Sequence, residues 1–471
     1  MPPSLALFIW FVLLALLLRY DPAKVPGTSW ALWLPVIWIS IVASRLPSQW
    51  LGGQLGTVAG TLEEGNAIDR TIWLILLVLA IAVLISRSFN WADFVARNLA
   101  LTAYISFALM SVIWSDFAFV AFKRWFRDLG SYFMILIVLS DPDPVEAVRT
   151  FLRRVCYLLI PLSVIVIKYF INIGRAYDKW SGLQMFVGVT TGKNLLGVLC
   201  LVSGLFFLWD TIVRWPHRKE SQTKRVLLVN LGFGLMTLYC LRLAHSMTAF
   251  VCLGIACAVI TAAYSGWGRR HPVFLKAMIP TAFCLYLILG FGLGLNALFA
   301  QMLGKDPTLT DRTHIWSVLL GMHTNPLVGT GYESFWLGSR LDLIFDKAGE
   351  HIDEAHDGYL EVYLNLGSTG LLLLVAFLVT GYANICRQDI RSRTNFASLV
   401  LAFWAVAVMY NISEAGFKHG LMWLSLLLGA INLAPQEDQI QDETLVPSAP
   451  PIAPDQDMGG LPISDDSFSW N

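Results

Sequence analysis

Charge is what this sequence has little of. Only 14% of its 471 residues are Asp, Glu, Lys or Arg, against about a quarter in an ordinary soluble domain. A chain this poor in charge cannot cover two or three soluble domains with polar surface. Its formal net charge is +0, which says nothing about partners; where the charges fall matters more. The seven cysteines (Cys156, Cys200, Cys240, Cys252, Cys257, Cys284 and Cys386) form no C-x-x-C pair. No histidine stands at metal-ligand spacing from them, so they read as small buried apolar residues rather than as a redox or zinc centre. The first apolar run, 5–18, has no basic residue before it and no small-residue cleavage site after it. Arg19 and Lys24 follow instead, which predicts a membrane anchor rather than a cleaved signal peptide. No internal repeat is apparent, and that weighs against transporters built from repeats.

What the sequence has is long apolar stretches. Hydrophobic residues make up 56%, and the mean hydropathy is +0.61. A bilayer core of about 30 Å needs roughly 20 apolar residues in helical form. Runs of that kind fall near 4–18, 29–46, 71–86, 98–114, 126–140, 151–170, 194–213, 226–242, 246–266, 275–300, 358–382, 396–411 and 417–433. The prediction is an all-α polytopic integral membrane protein with about 12–13 transmembrane helices.

Basic residues set its orientation. Arg149/Arg153/Arg154, Arg214/Arg218/Lys219/Lys224/Arg225, Arg269/Arg270/Lys276 and Arg387/Arg391/Arg393 fall in alternate loops, which are expected in the cytoplasm. The chain then divides into N-terminal spans (1–300), an ordered extracytoplasmic cap (301–357), C-terminal spans (358–433) and a cytoplasmic tail (434–471). The tail is polar and carries Pro447, Pro450, Pro451 and Pro454, so it is expected to be disordered. The cap mixes Trp316, Tyr332, Phe335, Trp336 and Phe345 with glycine turns and charges, as an ordered segment would.

Chemistry concentrates in that cap. Asp311-Arg312-Thr313-His314-Ile315-Trp316 opens a short amphipathic helix that Asn325-Pro326 ends. Gly329-Thr330-Gly331 makes a tight turn. Glu354-Ala355-His356-Asp357-Gly358 then leads back into an apolar run, placing His356 and Asp357 at the water–lipid boundary. His351, Glu354 and His356 also lie close together. Their spacing does not match H-E-x-x-H, in which both histidines share a helix face, and no metal site is expected.

The segment "DRTHIW…NPLVGTGYESF", followed by "AHDGYLEVYLNLGSTG", resembles the signature region of the O-antigen ligase and Wzy-type polysaccharide polymerase family. The likeness is closest to its ExoQ-like exopolysaccharide-polymerase branch. "TTGKNLLG" (190–197) resembles that branch's Lys-Asn-x-x-Gly element at the head of a span. "RLAHSMTA" (242–249) resembles its short basic Ser/Thr-rich external hairpin, although Ser-Met-Thr stands at 246–248 where the family usually has a central basic residue. The region 301–374 carries most of the likeness.

The resemblance implies a metal-independent inverting glycosyltransferase, without cofactor, working on undecaprenyl-diphosphate-linked glycans at the outer face of a bacterial inner membrane. Its partners would be the lipid-linked donor, a glycan acceptor, the bilayer and other polysaccharide export proteins, with no nucleic acid. Arg312 and Arg242 are then candidates to hold the lipid diphosphate as planar forks, each bond contributing roughly 1.5–3 kcal/mol. Negative charge grows on the leaving diphosphate as the glycosidic bond breaks, so these cations gain value in the transition state. Lys193 would add a third positive group. His356 is the candidate base for the acceptor hydroxyl, on the expectation of a pKa near ~6.5, and Asp357 or Glu354 would orient its ring. Arg124, Arg127, Arg175, Glu414 and Lys418 also fall on expected external loops. The competing class is a transporter or flippase of lipid-linked sugars or small anions. Transporters place ionisable residues inside their spans, whereas the charges here gather at span ends and in the cap.

Overall fold

The apolar runs become helices because nothing in a bilayer competes for their backbone N–H and C=O groups. The computed structural model describes residues 1–24, 28–52, 65–177, 182–292, 312–348, 352–388 and 395–433. The predicted tail (434–471) and the first part of the predicted cap (301–311) lie outside them. Beyond helices, the described residues hold one small antiparallel hairpin that pairs Arg175–Tyr177 with Gln184–Phe186. The protein is all-α and polytopic, as the sequence predicts.

Among the described residues eight helices are long and apolar enough to cross a membrane, or nine if one bent pair is a single span. The eight are Pro3–Tyr20, Ala67–Ser86, Pro144–Tyr169, Lys193–His217, Ser221–Ala244, Met247–Tyr264, Pro272–Gly290 and Gly358–Arg387. Their outward side chains, among them Phe8, Phe11, Leu74, Val78, Leu228, Leu235, Leu372 and Val379, are exposed. Lipid tails are as apolar as leucine, so such faces cost nothing in hydrocarbon.

Where the structure differs from the expected spans, polar side chains explain it. The run at 98–114 is the second half of a bent pair, Trp91–Arg97 and Leu99–Trp114, that turns through 101°. Asn98 sits at the break, buried. Its amide donates to the carbonyls of Phe94 (2.9 Å) and Asn432 (2.8 Å) and accepts from the Asn432 N–H (2.8 Å), so the opened helix ends keep their partners. The run at 126–140 belongs to a longer helix, Ala118–Leu139, whose first half carries Lys123, Arg124, Arg127 and Asp128.

Three further elements are shorter than the sequence suggests: Trp30–Val42, expected as 29–46, and two near the C-terminal end of the described residues. Phe396–Tyr410 and Leu421–Ala430 have 15 and 10 residues, or about 22 and 15 Å of rise, too short to cross the hydrocarbon alone. They are nonetheless buried on nearly every side. Trp423 packs against Tyr104, Tyr132, Phe377 and Phe417 with ring centroids 5.5–6.4 Å apart. The depth these helices do not cover is taken by the loop 411–420, which carries Glu414, Lys418 and His419 into the protein.

The basic loops do share one end of the bundle. Arg149, Arg153 and Arg214 all pair with the buried Asp210. Trp209 donates to the Asn395 carbonyl at 3.1 Å, and Lys276 donates to the carbonyls of Cys386 and Gln388 at 2.5 and 3.0 Å. The helix Lys193–Arg214 runs from that end to the site described next.

Candidate active site

The site is built where three stretches of chain meet the loop 411–420. First, Asn194, at the head of its helix, donates its amide to Glu414 Oε1 at 2.9 Å. Second, Thr248, just past the hairpin at His245, shares a hydrogen bond of 3.0 Å with Ser413. Third, His356 Nδ1 lies 3.0 Å from Glu354 Oε1 and 3.5 Å from Glu414 Oε2, while Lys418 Nζ lies 3.4 Å from Glu354 Oε2. Both oxygens of each carboxylate are thus engaged. The sequence patches 190–197, 242–249 and 354–364, far apart along the chain, converge on one place.

Local structure fixes each approach. Gly197 lets the Asn194 helix close on the hairpin, because a Cβ there would meet the Ser246 and Ala249 side chains at 2.8 and 2.9 Å. The helix Arg312–Leu320 is tied to the site through Trp316, whose indole donates to the Ala355 carbonyl at 2.9 Å. Ala355 N–H in turn donates to Glu361 Oε2 at 3.0 Å, and Glu361 Oε1 accepts from the Trp336 indole at 2.6 Å. Ile315, Leu319, Phe335, Trp336, Leu341, Ile344, Ile352 and Leu364 close a small apolar core around these bonds. His356 itself has φ 49°, a left-handed conformation that non-glycine residues adopt at a cost and that recurs at functional sites.

The electrostatics differ from the sequence expectation. Burial opposes charge on His356, but contact with Glu354 and Glu414 outweighs it and raises the imidazole to about 9. The expected value near ~6.5 is therefore corrected: with two carboxylates beside it, the ring is mainly protonated at neutral pH. Burial also works against the Glu354 carboxylate, yet His356 and Lys418 draw it down to about 2. Lys418 is shifted upward against its own desolvation by Glu361 and Glu354. His356 and Lys418 face Glu354 and Glu414 as two cations and two anions, a balanced set.

The remaining sequence candidates are placed as follows. Asp357 caps the helix Gly358–Arg387, its Oδ1 accepting from Tyr359 N–H (2.9 Å) and Leu360 N–H (2.8 Å), and it is Glu354 that meets the His356 ring. Lys193 opens its helix half-buried. Arg242 is exposed in the last turn of Ser221–Ala244. Neither makes a hydrogen bond or ion pair among the described residues. Arg312 begins its helix, and its side chain, like Asp311 and His351, lies outside the described residues. Arg124 donates to the Glu333 carbonyl. Arg127 pairs with Asp128 at 2.7 Å, and Tyr332 donates to the same carboxylate at 2.9 Å; both arginines thereby hold the 329–335 turn. Arg175 donates to the Ile167 carbonyl at 3.0 Å and stacks over Phe186, supporting the hairpin.

Glu414, Lys418 and Asn194 were not singled out by the sequence. The Lys-Asn dipeptide was the available signal for Asn194. Glu354, His356 and Glu414 also present three donor atoms within 4.8 Å of one another. A divalent ion there would have to displace the imidazole proton and tolerate Lys418, so the donor set suits a proton site better than a metal.

Residues 231–375 match the family model described as O-antigen ligase. Over that stretch the chain is similar to the O-antigen ligase family. The match spans the 242–249 patch, the cap helix, the Gly329–Gly331 turn and His356, while the 190–197 patch lies outside it. The chain is also similar to the exopolysaccharide production protein ExoQ of Rhizobium meliloti (strain 1021). The two are 26% identical over 324 residues, covering 65% of this chain and 69% of the relative.

The Glu354 carboxylate gives a direct check on His356. Glu354→Gln is expected to move the alkaline midpoint of the pH–rate profile down by at least about one unit, since it removes an adjacent negative charge. Asp357→Ala, which removes the cap of the helix Gly358–Arg387, should leave that midpoint in place. A midpoint unmoved in Glu354→Gln would separate the titrating group from His356.

Proposed function

We propose that this protein is an inverting glycosyltransferase that transfers a glycan from a polyprenyl-diphosphate carrier to an acceptor hydroxyl, extending or ligating an exopolysaccharide or O-antigen chain. One observation carries the reading: a histidine flanked by two carboxylates, within the stretch that matches the O-antigen ligase model, with Lys193 at the head of one span and Arg242 in the last turn of another, both without an ion pair among the described residues. Neutral His356 takes the proton from the acceptor hydroxyl as its oxygen attacks the anomeric carbon. The imidazolium that forms is stabilised by Glu354 and Glu414, so the two carboxylates favour the transition state over the ground state. The C–O bond to the diphosphate breaks on the opposite side of that carbon, and Arg312, Arg242 and Lys193 receive the charge that develops there. These three cations take the part that a divalent ion plays in other transferases. The basic loops at the other end of the bundle support a cytoplasmic position for that end and an extracytoplasmic one for His356.

Purified protein incubated with a lipid-diphosphate-linked oligosaccharide in EDTA should make longer chains. Arg312→Ala should slow elongation about a hundredfold, the scale of one lost charge-stabilising donor. No product from several donors, together with movement of a labelled lipid across proteoliposomes, would replace this reading with a flippase.

A further inference from the structure

The end of the bundle away from His356 holds a second charged site that the glycosyl-transfer chemistry does not use. From Asn194 to Asp210 the connecting helix rises about 24 Å. There a cavity of about 190 Å³ opens between the end of the first helix and the start of Pro144–Tyr169, lined by Lys24, Arg149, Arg153, Arg154, Ser29 and Trp33 among others. Its charges do not balance. Arg149, Arg153, Arg154, Arg214 and Lys24 meet Asp210, Asp21, Glu146 and Asp143 across the lining and the side chains it touches. One positive charge remains over.

The surplus has a definite location. Asp210 is fully buried, accepts from Arg153, Arg214 and Asn230, and also pairs with the Arg149 guanidinium at 3.0 Å. It has no capacity left for Arg154. That guanidinium lies over Trp33, 4.4 Å from the ring centroid, and its Nη1 is buried without a hydrogen-bond partner among the described residues. The Nε of Arg153, a side chain only 2% exposed, is likewise unpartnered. Buried guanidinium N–H groups without an acceptor are costly. Arginine forks over a tryptophan at a membrane boundary suit a tetrahedral oxyanion.

We propose that this cavity is a binding site for a phosphate group, separate from the His356 site. The phosphate meets Arg153 Nε and Arg154 Nη1 at its base and Lys24 at its rim. Two sources carry that chemistry, an anionic phospholipid headgroup and a free phosphate or diphosphate.

The test is thermal unfolding of the full chain in phosphatidylcholine nanodiscs, with phosphatidylglycerol mixed into the disc in one arm and inorganic pyrophosphate added to the solution in the other. A rise in Tm of about 4 °C or more is expected in at least one arm. A rise with phosphatidylglycerol alone identifies the source as a lipid headgroup, and a rise with pyrophosphate identifies a free phosphate. Arg154→Gln should abolish the rise. Lys24→Gln, an exposed change that does not threaten the fold, should reduce it. Arg218→Gln, which removes an exposed charge elsewhere on the same end, should keep it in full. No rise in either arm, or an equal loss in Arg218→Gln, overturns the proposal.

Discussion

His356→Asn should slow chain elongation by about a thousandfold, within the range that a lost acid–base group costs, while the protein remains folded. Asparagine is chosen because it tolerates the left-handed backbone that His356 adopts better than most residues do. The wild-type pH profile makes the assignment sharper. Contacts with Glu354 and Glu414 raise the imidazole to about 9, so only roughly one molecule in a hundred holds the neutral ring at pH 7. If the neutral ring is the base, kcat/KM climbs about tenfold per pH unit below 9 and levels off above it. If the imidazolium worked instead as a fixed cation for the diphosphate, the rate would be flat below 9 and fall above. Measuring kcat/KM from pH 6 to 10 with a defined lipid-linked donor distinguishes the two, and a fall through pH 9 would sink the base assignment. The low neutral fraction has a compensating benefit. The carboxylates that hold the proton make the ring a stronger base, and they stabilise the charge it acquires in the transition state.

How far the sequence carries toward this site depends on the range of the interactions. The long apolar runs announce helices because their signal is local and periodic. His356 and the Arg312 helix were legible because they sit in one contiguous motif. Glu414 was visible only as a charge on an expected external loop. It meets His356 because Phe396–Tyr410 and Leu421–Ala430 are too short to cross the bilayer, leaving the loop between them to descend into the protein. Hydropathy reads that region as two ordinary spans; it has no term for a buried loop held by Asn411 and Glu414. Asp357 shows the converse limit. A carboxylate next to a histidine and one that caps a helix look alike in sequence. The two N–H donors at 2.9 and 2.8 Å decide for the cap.

The motif glycines are legible in sequence as turns, yet the reason for them is tertiary, and Gly367→Ala is expected to expose it with a loss of about 3 kcal/mol or more of stability. Gly367 interrupts the helix Gly358–Arg387 with φ 65° and ψ −169°, a conformation all but reserved for glycine. A Cβ there would meet the Leu327 carbonyl carbon and oxygen at 2.3 and 2.4 Å and the Val328 nitrogen at 2.4 Å. Those are backbone atoms, which cannot turn aside as a flexible side chain would. The segment 326–331 lies in the opened helix and completes its hydrogen bonds. Thr330 and Gly331 N–H donate to the carbonyls of Leu364 (3.2 Å) and Asn365 (2.8 Å), while Ser368 and Thr369 N–H donate to those of Pro326 (2.9 Å) and Leu327 (3.1 Å). Forcing the segment out leaves these groups unpaired. The effect then reaches the chemistry, because the same segment leads to Trp336, whose indole holds Glu361, which holds the Ala355 N–H beside His356. Thermal unfolding in detergent should show a markedly lower Tm for Gly367→Ala, and elongation should fall further than the folded fraction. Leu372→Ala, a lipid-facing truncation on the same helix, should change neither. A Gly367→Ala protein with wild-type Tm and rate would mean that the break in this helix positions nothing.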